Sequence, residues 1–255
     1  MGRLEGKIAL ITGGSSGIGF DSAKAMIQEG AFVYITGRRE NALQDAVKEL
    51  GENSDYIQAD SSSIEDLDRV CNKIKNEKGK LDVLFINAGV GKYIKLEDIT
   101  EEDIDWTFDI NVKGTVFTLQ RMLPILSEGA SVILNTSVTA NLGLPDFCLY
   151  AASKAAMKSF IYSWTTDLKD RHIRVNAVSP GVIPTAAATG ELGRSKEEEL
   201  ALQQRRTSLI PLGRMGTVQD TSNAVVFLAS DESSFVTGVE ITVDGGLSAV
   251  FANEL

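Results

Sequence analysis

The sequence predicts a doubly wound α/β fold: one domain, with a seven-stranded parallel sheet and helices on both faces. Three observations predict it. Short β-branched runs alternate with longer amphipathic segments from the first residues onward, the pattern left by βαβ units. The short runs are almost wholly apolar, as in strands covered on both faces. No proline-rich or Gly/Ser linker, internal repeat or low-complexity tract divides the 255 residues.

Taken in order, strands are expected at 7–12, 31–36, 54–59, 81–87, 130–137, 173–179 and 240–243. Helical periodicity fills the intervals at 17–29, 41–50, 64–77, 102–126, 149–170 and 217–230. Thr100-Glu101-Glu102-Asp103 resembles a capping box opening the fourth helix. Right-handed crossovers would bring the strands' carboxyl ends together at one edge, where ligands bind in such sheets. The segment 184–211 breaks the alternation with three alanines, Gly190, Gly193 and a charged run, and is expected to form a lid over substrate.

Composition narrows the function classes. With 43% apolar residues the chain can fill a sizeable core, and a net charge of −10 argues against coating nucleic acid or an anionic membrane. Cys71 and Cys148 are too few for a disulfide framework, and the single His172 leaves no histidine cluster for a metal. His172 itself reads as a surface or capping residue, and Cys148 either faces the substrate pocket as a redox-sensitive thiol or is a small buried hydrophobe. The apolar run after the N-terminus is too short for a signal or membrane span, and Gly6 stands where a myristoylation motif needs Ser or Thr. A cytoplasmic location is expected.

The first strand runs through Thr12-Gly13-Gly14-Ser15-Ser16-Gly17-Ile18-Gly19 into a helix. Glycines at 13, 17 and 19 allow a tight turn, backbone approach to a pyrophosphate and close helix-to-strand packing, while the helix start offers unpaired N–H groups to the anion. The second strand ends at Gly37-Arg38-Arg39, without the carboxylate that an NAD-selective site offers to a ribose 2′-hydroxyl. Arg38 and Arg39 either pair with a 2′-phosphate, favouring NADP(H) over NAD(H), or are solvated residues at a helix start. Asp60, with Ser61 after it, either accepts from an adenine amino group or caps the following helix. Asn87-Ala88-Gly89 supplies small residues against a cofactor or a plain strand-end turn.

Tyr150 and Lys154 lie four apart at the start of a helix and project from one face. A neighbouring ammonium favours the phenolate and would lower the tyrosine pKa from about 10 toward working pH.

In order along the chain, the glycine-rich loop, Asp60, Asn87-Ala88-Gly89, Asn111, Ser137, Tyr150-Ala151-Ala152-Ser153-Lys154, Pro180-Gly181 and Val243-Asp244-Gly245-Gly246 resemble the short-chain dehydrogenases/reductases. The resemblance covers nearly the whole chain and implies a Rossmann fold and hydride transfer between nicotinamide and a carbonyl or alcohol carbon. It implies that Tyr150 exchanges the proton, that Ser137 polarises the substrate oxygen, that Lys154 lowers the Tyr150 pKa and holds the nicotinamide ribose, and that Asn111 holds a water. Cofactor contacts are implied at Gly13, Ser15, Ser16, Gly17, Ile18, Gly19, Arg38, Arg39, Asp60, Ser61, Asn87, Ala88, Gly89, Tyr150, Lys154, Pro180, Gly181, Ile183 and Thr185, with no metal. Pro184 departs from the family beside Ile183 and Thr185, and Ile86 stands where the family often has asparagine.

The expected substrate is a small molecule, a carbonyl or secondary alcohol. Leu142, Leu144, Phe147 and the alanines at 186–188 point to an apolar pocket and a small hydrophobic ketone. The alternatives are a sugar or a 3-ketoacyl group, or a cofactor-binding sensor or scaffold with little turnover. Relatives of this kind imply a homotetramer, and the apolar tail beginning at Leu247 is consistent with a buried C-terminus.

Overall fold

The computed structural model describes residues 2–185, 204–205 and 207–249. Its sheet comprises β1 (Ile8–Thr12), β2 (Phe32–Gly37), β3 (Ser54–Gln58), β4 (Leu81–Ile86), β5 (Leu126–Asn135), β6 (Arg174–Pro180) and β7 (Glu240–Val243). All neighbours are parallel, in the order β3-β2-β1-β4-β5-β6-β7. The chain winds outward in opposite directions from β1 and β4, so a crevice opens between their carboxyl ends.

The helices are α1 (Gly17–Gln28), α2 (Glu40–Leu50), α3 (Ile64–Lys78), α4 (Glu101–Phe108), α5 (Gly114–Met122), α6 (Cys148–Asp167) and α7 (Val218–Ala229). Alternation along β1 shows why both faces are covered. Ile8 and Leu10 enter one core with Val70, Ile74 and Met157, while Ala9 and Ile11 enter the other with Met26, Leu43 and Val225. The expected capping box is present, with Thr100 Oγ1 accepting from the Asp103 amide and Asp103 accepting from the Thr100 amide, each at 3.2 Å.

Two element limits differ from expectation near the site. The helix expected at 102–126 is interrupted by a π-helical turn at Asp109–Lys113 and ends at Met122. The wider turn directs the Asn111 side chain inward, where it is completely buried. The fifth strand begins at Leu126 rather than 130 and ends at Asn135 rather than 137. Its polar start is a bulge: the register passes from Leu81↔Leu126 to Val83↔Ser131, with Gly129 at φ +71. At the other end Ser137 caps a single 3-10 turn, Val138–Ala140, by accepting from the Thr139 amide. Among the described residues no helix is long and apolar enough to cross a membrane.

Candidate active site

The loop from Gly13 to Gly19 crosses the carboxyl end of β1 and opens α1. Close packing makes Gly19 obligatory, because a Cβ there would stand 2.3 Å from the Gly13 carbonyl oxygen. Ser16, the α1 N-cap, is fully extended and makes no side-chain capping bond. The first-turn amides are therefore left for an anion. Asn87 knots this loop to the sheet: its Nδ2 donates to the carbonyls of Thr12 and Gly13 at 3.0 Å, and its Oδ1 accepts from Asn135 Nδ2 at 2.8 Å.

A cleft of about 370 Å³ runs from this loop across the strand ends. Its lining includes Gly13, Ser15, Ser16, Gly17, Ile18, Arg38, Arg39, Asp60, Ser61, Asn87, Ala88, Gly89, Tyr150, Lys154 and Thr185, so most of the expected contacts converge. Sequence reasoning missed Val90, Ile110 and Asn135, which line it too. Asn135 left a faint signal as a polar residue closing an apolar strand.

Asp60 is the one carboxylate among the described lining residues, and Arg38 and Arg39 line the end near β2. The alternative of Asp60 as a helix cap is corrected: Ser63 caps α3, while Asp60 Oδ1 accepts from the amide and hydroxyl of Ser62. The set fits a nicotinamide dinucleotide. An uncapped helix start would receive the pyrophosphate, cations sit at one end, and at the other Asn135 Oδ1 is buried with no hydrogen-bond partner among the described residues.

Tyr150 lies in a slot between Gly91 and Phe147. A Cβ on Gly91 would stand 2.7 Å from Tyr150 Cδ2, and the Phe147 ring stacks on Tyr150 at 4.6 Å and on Tyr93 at 4.1 Å. Asn111 does not line the cleft. It clamps Val90, accepting from the amide and donating to the carbonyl at 2.8 Å each, and donates to Ser153 Oγ at 2.9 Å.

The expected lowering of the Tyr150 pKa by Lys154 is absent in this geometry. Lys154 Nζ donates to the Asn135 carbonyl at 2.6 Å and stands 5.5 Å from the centre of the Tyr150 ring. Burial pushes the phenol up to about 12, against a lowering by its hydrogen bond with Ser137 and a further rise from Tyr93. That holds although one part of the tyrosine remains open to the cleft, because the ring is hemmed in by Phe147 and Gly91. Burial also brings the Lys154 ammonium down to about 8. At neutral pH the site therefore presents a neutral phenol and a lysine close to its titration point.

Four of the implied contacts do not line the cleft: Gly19, which packs on Gly13, and Pro180, Gly181 and Ile183. Pro180 ends β6, Gly181 packs on Asp244, and Ile183 packs on Gly216. Thr185 lies against Gly17 of the glycine loop. Cys148 is exposed rather than buried, because it occupies the outer side of the first turn of α6. His172 is a surface residue that ends a 3-10 turn and meets Glu128 at 3.0 Å. The alanines at 186–188 and most of the 184–211 segment lie outside the described residues.

Comparison with known proteins places this geometry among others. The profile of a family described as Enoyl-(Acyl carrier protein) reductase matches residues 13–248. An oxidoreductase, asL5, of Sarocladium schorii is 43% identical over 250 residues, covering 97% of this chain and 98% of the relative. The 3-oxoacyl-(acyl-carrier-protein) reductase FabG of Thermotoga maritima is 38% identical, covering 96% of this chain and 99% of the relative. A crystal structure titled as a short-chain dehydrogenase/reductase, glucose/ribitol dehydrogenase, from Brucella melitensis superposes with a TM-score of 0.87 at 28% identity, covering 96% of this chain and 98% of that one.

Proposed function

The chain belongs to the short-chain dehydrogenase/reductase family of oxidoreductases, and from that premise we propose that it reduces the carbonyl of a small apolar ketone with NADP(H) in preference to NAD(H). The observation that carries this reading is the convergence of Tyr150 and Lys154 on a cleft whose other end carries Arg38 and Arg39. A bound nicotinamide dinucleotide supplies the hydride.

The protein's own residues do the rest. Ser137 donates a hydrogen bond to the substrate oxygen as negative charge develops there, and Tyr150 gives that oxygen its proton. The neutral phenol is the form that donates. The Lys154 ammonium, held beside Tyr150 by the Asn135 carbonyl, would bind the nicotinamide ribose. Asn111, by fixing the Val90 loop and Ser153, keeps Gly89 against Lys154. Arg38 and Arg39 receive the 2′-phosphate.

A second reading, reduction of a 3-oxoacyl thioester, draws support from the description of the matching family and from the Thermotoga maritima relative. One assay separates them: a panel of apolar ketones, sugars and 3-oxoacyl thioesters, each with NADPH and with NADH. Tyr150→Phe is expected to lower kcat on the order of 100-fold or more, within the range for loss of a general acid, with NADPH affinity retained. Preserved turnover in that variant, or NADH bound as tightly as NADPH, would overturn the corresponding part of the reading.

A further inference from the structure

Tyr150, Lys154 and Lys158 stand at i, i+4 and i+8 on α6 and share one face of that helix. All three engage the short stretch of chain that leaves β5 or its immediate support. The Tyr150 phenol pairs with Ser137. Lys154 Nζ donates to the carbonyl of Asn135 at 2.6 Å. Lys158 Nζ lies 2.8 Å from Glu240 Oε2 and donates to Asn141 Oδ1 at 3.1 Å. Glu240 completes the set with its other oxygen, accepting from Thr136 Oγ1 at 2.7 Å. Thr136 sits between the residue that holds Lys154 and the residue that faces Tyr150.

This pair differs from the protein's surface ion pairs. The Glu240 side chain is 8% exposed and Lys158 28%, against 77% and 76% for Asp45 and Lys48. A shielded carboxylate with partners on α6 and at the end of β5 is geometrically constrained, and removing one partner leaves the other poorly satisfied. Neither residue lines the cleft, so any effect on the reaction passes through the groups they hold.

We propose that Lys158 and Glu240 are positioning residues, whose ion pair clamps the exit of β5 between α6 and β7 and holds the Ser137 hydroxyl in register with Tyr150. The claim rests on the ketone-reductase reading for its kinetic consequence, but not for its structural one. Small displacements of reacting groups carry large kinetic costs, so Lys158→Met and Glu240→Gln should each lower kcat on the order of tenfold or more, leaving the KM for NADPH within about twofold. Lys158→Arg should retain most of the wild-type kcat, and the exchanged pair Lys158→Glu with Glu240→Lys should recover part of the loss.

The test measures kcat and both KM values for these variants below their unfolding temperatures, together with amide hydrogen exchange of residues 136–141 by mass spectrometry. Faster exchange confined to that segment, a fall in kcat without a matching rise in the NADPH KM, and rescue by arginine are the expected results. Unchanged exchange in both single variants, or unchanged kcat in an active enzyme, would overturn the clamp. A wild-type protein inert toward every carbonyl in the panel would count against the proposed function instead, and the exchange measurement would still decide the clamp.

Discussion

Lys154 is 2% exposed, and its ammonium has the Asn135 carbonyl for a partner but, among the described residues, no carboxylate beside it. Burial disfavours the charged form and brings its pKa down to about 8 from 10.5. Between these values the unfolded chain binds the proton and the folded chain does not, so stability rises with pH across that window and is reduced below it. Tyr150 acts in the opposite sense: raised from 10 to about 12, it contributes stability below pH 10 that is lost as pH climbs through its folded value. Lys154→Met should therefore raise Tm at pH 7, with the advantage over wild type shrinking as pH rises from 8 toward 10. A gap that stays constant over this range would exclude burial of the charge as the cause. The i, i+4 spacing of the pair was legible in the sequence. The opposed directions of the two pKa shifts were not, because burial and the Asn135 carbonyl belong to distant segments.

Among the elements, the π-helical turn at Asp109–Lys113 does the most to shape the site. Its Asn111 joins the α4–α5 segment to the loop after β4 and to α6 through three hydrogen bonds. Asn111→Ala would strand the Val90 amide and carbonyl and leave Ser153 without its donor, at a cost of roughly 3 kcal/mol. For a chain of this length, that corresponds to a fall in Tm of roughly 6–12 °C, measurable by calorimetry. A change of a degree or two would show that water replaces the amide at little cost. Periodicity located the helix containing Asn111 but not its interruption, since a single π turn shifts the apolar phase by one residue, too little to stand out over two short helical segments. The bulge in β5 was hidden for a related reason: Ser127, Glu128 and Gly129 read as loop residues, and only pairing with β4 extends the strand past them.

At the scale of the whole molecule, Leu96, Leu212 and Phe235 leave apolar surface in water, at 77%, 70% and 103% exposure. We expect a homotetramer to cover part of it, and size-exclusion chromatography with light scattering should return four chain masses; a stable monomer at micromolar concentration would refute this. The chain's own sequence determined the order of seven strands and their helices, the glycine turn that approaches phosphate, and the Tyr150–Lys154 pair. Each of these is a short-range property, set by local periodicity, backbone freedom or spacing along one helix. Only the tertiary structure decided that Asn135 receives Lys154, that Asp60 serves its own turn, that Gly91 and Phe147 hold the phenol, and that Lys158 meets Glu240 from the far end of the chain. Those relations depend on which strands become neighbours and on how deeply each group is withdrawn from water, and neither quantity is carried by residues adjacent in sequence.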